Sequence, residues 1–218
     1  VGSEMCIRDR AYAWKACALG QGMSRGFIEG DMAEIWSEAE GCLKKAHELN
    51  DNDFEVHRLM AEVNLSGRNF RVAERHASKA YKMVPNDPRV LSVYGEVSLR
   101  LGKIDQGLDA LKLALEIDPI AQGKTNSDSR TAPVIFGEFL ARNKDNCLEL
   151  VEKLEDIDSK SWLLTAKLCS DEEHDITEED WYKRGKEEFN DKDWAAEVDS
   201  FRLNNEGAKA VSYTHLTL

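Results

Sequence analysis

No stretch of this 218-residue chain approaches the ~18 apolar residues of a membrane span. It also lacks a basic tail: 29 Lys and Arg stand against 41 Asp and Glu, a formal net charge of −12. Phosphate binding needs clustered cations, so neither a nucleic-acid partner nor a membrane is expected. No segment alternates apolar and polar residues as a strand does, which makes the chain all-α. There is no Cys-x-x-Cys pair among the cysteines and no His at ligand spacing, so no metal or other cofactor is expected. No Ser/His/Asp or Cys/His arrangement falls within reach of spacing, so the chain is read as non-catalytic. What is present is 42% hydrophobic and 32% charged residues, the balance of a folded chain.

A period of 34 residues organises the middle. Ala46, Ala80 and Ala114 follow it, as do Ala39, Ala73 and Gly107, and Ala61 and Gly95. The larger columns are Trp36, Phe70 and Ile104, then Leu49, Met83 and Ile117. Asp51, Pro85 and Pro119 close the units. Paired helices cross closely only where side chains are small, which accounts for the Ala and Gly columns. A proline after the second helix ends it, because it has no N–H and disfavours helix in its predecessor.

These columns resemble the tetratricopeptide repeat, most clearly over Phe54–Asp87 and Pro88–Ile120. Met60, Ala61, Phe70, Ala73, Ala80 and Pro85 occupy signature positions in the first copy. Tyr94, Gly95, Gly102, Ile104, Ala114 and Pro119 do so in the second. The departures are His57 and Leu91 where the family has Trp, and Gly67 one place early. The resemblance implies a right-handed α-solenoid of tetratricopeptide-like helix pairs, degenerate towards the C-terminus.

Upstream, Trp14, Cys17 and Ala18 match a first helix. Trp14 and Trp36 are about nine residues further apart than the repeat requires. That places an inserted loop or broken helix within Gly20–Asp31, inside a first copy spanning 11–53. After Pro119, residues 121–130 read as a loop and 131–210 as degenerate helical repeats. Pro133 marks a helix start; Phe136, Gly137 and Leu140 suit a first helix, and Cys147, Leu148, Val151 and Leu154 a second. Trp162 and Ala166 begin another, and Ile176–Asn190 and Asp191–Asn204 read as two final helices, the former capped by Thr177. The terminal strings 1–10 and 211–218 resemble in-frame translations of sequencing-library adapters, expected to make no contact with the helical body.

Several chemistry-bearing residues have plainer readings. Gly123-Lys124-Thr125 lacks the upstream Gly of a phosphate loop, so it is a surface loop. Cys17, Cys42, Cys147 and Cys169 are read as buried reduced thiols. His47, His57 and His76 fall on separate helices and are read as surface residues, with His174 in an acidic loop. The acids of Asp171–Asp180 lack the alternation and Gly of a calcium loop and are read as a solvated face.

In the family the first helices line a groove that takes extended or helical peptides. The resemblance therefore implies Glu55, Arg58, Glu62 and Leu65, then Arg89, Ser92, Glu96, Leu99 and Arg100, as groove-facing candidates. Some members clamp a C-terminal carboxylate with a Lys and an Asn. Arg58 stands at the Lys position, but Glu62 stands at the Asn position and repels a carboxylate, so that clamp is rejected. The expectation is a cytoplasmic interaction module for a protein or peptide partner, with no oligomeric state assigned. The loop order, with Ile176–Trp181 and Phe189–Asp193, is also similar to C-terminal repeat regions of bacterial signalling proteins. Those carry a nucleotidyl cyclase or winged-helix domain upstream. The alternative is thus a regulatory part of such a protein, whose N-terminal domain is missing from this fragment.

Overall fold

The computed structural model describes residues 2–24, 27–121 and 123–155. Among these residues all regular structure is helical: α1 (Gly2–Ser24), α2 (Met32–Leu49), α3 (Phe54–Ser66), α4 (Phe70–Met83), α5 (Pro88–Arg100), α6 (Ile104–Ile117), α7 (Asp128–Leu140) and α8 (Lys144–Glu152). They form tetratricopeptide-like helix pairs. The chain divides into two compact units, residues 1–97 and 98–218, at a point within α5.

The period is visible in the helix boundaries. Phe54 and Pro88, Ser66 and Arg100, Phe70 and Ile104, and Met83 and Ile117 begin or end matching helices, each 34 residues apart. Local chemistry sets these limits. Asp53 caps α3, its carboxylate accepting from the N–H of Glu55 at 2.8 Å. Asp87 caps α5 by accepting from Arg89 N–H at 2.9 Å, and Pro88 opens that helix where no N–H is needed. Between the paired helices the chain turns through a left-handed residue. Gly102 has φ 75°, and the same place one repeat earlier holds Arg68 at φ 58°. The glycine displaced to position 67 leaves a side chain where glycine is preferred.

In the first unit, Ala13 and Ala16 of α1, Ala39, Cys42, Leu43 and Ala46 of α2, and Val56 and Leu59 of α3 form one buried cluster. Ala61 of α3 and Ala73, Ala77 and Ala80 of α4 are wholly buried, which lets the two helices approach closely. In the second unit, Leu99, Leu108, Leu111 and Val134 are the centre of the core. Gly137 is the close approach there: a Cβ would lie 2.8 Å from Leu108 Cδ1. Glu138 is buried beside it, held by Lys112 Nζ at 2.8 Å and Asn143 Nδ2 at 2.8 Å. These contacts hold its carboxyl below the usual range although burial opposes the charge.

Four expectations change. The extra residues of the first copy prolong α1 through Gly20 and Gly22 to Ser24, and Ile28 folds back onto Gly22. Only the remainder of the expected insert is left as connection. Helix α7 starts at Asp128, so Pro133 lies inside it rather than at its start. Asn126 Oδ1 accepts from Asp128 N–H at 3.2 Å, and buried Arg130 pairs with Asp118 at 2.9 Å, so the helix is anchored before the proline. The boundaries of α7 fall 40 residues after those of α5, so the fourth pair keeps the repeat's form behind a longer connection. Residues 2–10 continue α1, and Arg10 Nε donates to Asp53 Oδ2 at 3.0 Å, so the absence of contact expected for that end fails at Arg10. Cys17 and Cys42 are free, but Cys147 is disulfide-bonded and is not a reduced thiol. The expected helices from Trp162 to Asn204, the acidic run, His174, Cys169 and the segment 211–218 also lie outside the described residues.

Candidate functional site

The strongest concentration of charge on the candidate residues is in the first unit, on α3 and the start of α5. It is built around Glu55, in the first turn of α3, whose carboxylate is buried. Arg58, one turn on, grips it with both arms of the guanidinium, Nη2 to Oε1 at 2.7 Å and Nε to Oε2 at 3.0 Å. Such a paired fork is among the stronger polar contacts available to a protein. Arg58 also donates to Glu62, a further turn along the helix.

Arg89 reaches the same carboxylate from α5, Nη1 to Glu55 Oε1 at 3.3 Å. Its position is the repeat equivalent of Glu55, so one carboxylate joins consecutive first helices. Arg89 is itself held by Asp87, Nη2 to Oδ2 at 2.9 Å and Nε to Oδ1 at 3.2 Å. Arg58, Glu62 and Arg89 therefore meet in one network rather than scattering around the helices. Hydrogen bonding to Asp87 raises the Arg89 pKa. Burial opposes the charge on Arg58, but Glu55 and Glu62 outweigh it and raise its pKa. Burial likewise opposes ionisation of Asp87, and the Arg89 hydrogen bonds outweigh it and lower its pKa.

The network differs from the expectation in one respect. The repeat resemblance implies Arg58 as a groove-facing residue, open to a partner. It is only 6% exposed, and its guanidinium is occupied by Glu55 and Glu62. Arg89 and Glu62 are the accessible members, their side chains 35% and 44% exposed. Ser92 donates back to the Pro88 carbonyl at 2.9 Å, and Leu65 and Glu96 are half-buried. Arg100 belongs to the second unit, where its guanidinium carbon lies 4.8 Å from the centre of the Phe136 ring. Leu99 is buried in that unit's core and is not available to a groove.

The three repeat histidines are not separate surface residues. His47, His57 and His76 come together between α2, α3 and α4, with ring centres 5.1 to 5.6 Å apart. The available signal was His57 at a position where a large buried side chain is expected. Gly123-Lys124-Thr125 is an exposed turn before α7, with Gly123 at φ 78°. Among the described residues no group of His, Cys, Asp or Glu is arranged to hold a metal ion, and no helix is long and apolar enough to cross a membrane.

No protein-family model matches the chain. Its fold is similar to that of PilF from Pseudomonas aeruginosa, with a TM-score of 0.59 over 98% of both chains at 16% identity. In sequence it is 28% identical over 130 residues to cellulose synthase operon protein C of Pseudomonas fluorescens, and 29% identical over 105 residues to U-box domain-containing protein 70 of Oryza sativa. These stretches cover 56% and 47% of the chain but only 10% and 13% of the two curated relatives.

Proposed function

We propose that the chain is a non-catalytic protein-interaction module. A groove on the first helices α3 and α5 takes a peptide or helical segment of a partner, and Arg58, Glu62, Leu65, Arg89, Ser92 and Glu96 line or support it. The observation that carries this is Glu55 joining Arg58 and Arg89, which sets the charged residues of two consecutive first helices on one side. The fold supports it further, since stacked helix pairs present extended binding surfaces. Within the network the roles divide. Arg58 is a buried strut that fixes Glu55, while Arg89 and Glu62 offer one charge of each sign to a partner. A partner carrying paired acidic and basic residues at helical or extended spacing complements that surface.

A random peptide library displayed on phage and selected on the purified chain tests this. Affinity of the selected peptides is then measured on Arg89→Glu and Glu62→Lys. Each change is expected to weaken binding by about tenfold, some 1.4 kcal/mol. Peptides that bind both variants as tightly as the parent contradict the groove.

A further inference from the structure

The hydrogen bonds of the histidine cluster run to partners other than those of the ion network, although His57 and Arg58 are consecutive in α3. His57 Nε2 is 2.9 Å from the carbonyl oxygen of Asp51, and its Nδ1 is 2.8 Å from Nδ1 of His76. A carbonyl only accepts, so Nε2 of His57 carries a hydrogen. In the neutral ring Nδ1 is then the acceptor, and His76 must donate its Nδ1–H. Both tautomers are thereby assigned by one backbone oxygen. His57 is 1% exposed, and Nδ1 of His47 is buried without a hydrogen-bond partner.

The arrangement limits how many protons the cluster holds. One added proton can be accommodated: His57 becomes a double donor, and His76 shifts its hydrogen to Nε2 and accepts. A second proton on the pair places two N–H groups 2.8 Å apart with no acceptor between them. Protonating His47 adds a further cation 5.1 Å from the His57 ring and 5.6 Å from that of His76. Other charged groups facing the cluster are Asp51 in the α2–α3 connection and Arg75 and Lys79 on α4. Lys79 donates to the same Asp51 carbonyl that His57 uses, and its Nζ is 4.0 Å from the Asp51 carboxylate. The carboxylate is thus engaged by a lysine, and both cations of α4 oppose added charge on the rings.

We propose that His47, His57 and His76 form a proton-sensitive latch between α2, α3 and α4, closed while the cluster is neutral or singly protonated and released when it must carry more charge. It is a property of the first unit and does not depend on what that unit binds. Burial, first, and the neighbouring cations push His76 down to about 4, and burial likewise lowers His57. A folded-state pKa below the unfolded value of ~6.5 gives stability that is fully present above ~6.5 and is lost as pH falls towards the folded value. The window of loss is therefore between about 6.5 and 4.

Urea unfolding of the full chain at pH 7.5 and pH 5, with chelator present, tests the latch. Carboxylates with lowered pKa values contribute little change in that range. His57→Leu uses the residue that stands at the same place one repeat later, Leu91. The parent is expected to lose midpoint between pH 7.5 and 5, and His57→Leu and His76→Gln to lose most of that shift. Comparison with the parent cancels His174 and His215. An equal shift in parent and variants, or none in the parent, overturns the proposal. Imidazole ¹⁵N spectra of the parent supply a measurement that needs no variant. The expected result is hydrogen on Nε2 of His57 and Nδ1 of His76 at pH 7.5, and independent titration of the rings near their ordinary value overturns it. Zinc-dependent stabilisation that disappears in His57→Leu also overturns it, by making the cluster a metal site.

Discussion

At the residue scale, the same charge has different consequences at two neighbouring positions of the network. Arg58 is buried and forked onto Glu55, whereas Arg89 is partly exposed and shared between Glu55 and Asp87. Arg58→Glu leaves buried carboxylates facing one another and is expected to cost about 3–5 kcal/mol in urea unfolding. Arg89→Glu is expected to cost only about 1 kcal/mol, because water screens its contacts. Equal costs contradict the assigned burial. The left-handed turn makes a second contrast. Gly102→Ala puts a Cβ at φ 75° and is expected to destabilise by about 1 kcal/mol, whereas Arg68→Gly relieves a side chain at φ 58° and stabilises by a similar amount. Thermal melts of the two variants should therefore move in opposite directions.

At the scale of the element, small residues decide where helices touch. Ala80 is completely buried in α4, with Ala73 and Ala77 on the same stripe. Ala80→Leu is expected to cost about 1–3 kcal/mol through overpacking, and an unchanged melting temperature contradicts the packing of α3 against α4. The second and third helix pairs were legible because Ala, Gly and Pro recur in step with the helices they space and stop. The first and fourth were less so. Nothing in the spacing of Trp14 and Trp36 distinguishes a longer helix from a loop, since α1 runs through Gly20 and Gly22, with Ile28 packed over the backbone at Gly22. Pro133 pointed to a helix start because a proline is cheapest there. The actual start is set by Asn126 and by Arg130 reaching Asp118, a tertiary contact that no local pattern reveals.

At the scale of the whole molecule, the candidate site was legible as a helix face and not as a structure of charges. Repeat arithmetic placed Arg58 and Arg89 on first helices, but burial of Arg58 depends on Glu55, one repeat before Arg89, lying between them. The histidine cluster was missed for the same reason. His47, His57 and His76 have no common spacing, and only the packing of three helices brings them together. Other surfaces are available to a partner: Trp14, Phe27 and Met32 are more than half or about half exposed, and Arg75, Lys79 and Lys82 share a face of α4. Location of binding is therefore the discriminating observation. The direct measurement is ¹⁵N amide shift mapping of the full chain with a library-selected peptide. Binding in the groove predicts changes concentrated on Glu55–Leu65 and Arg89–Glu96. Changes confined to α4 or to Trp14, Phe27 and Met32, with those two segments unmoved, contradict it.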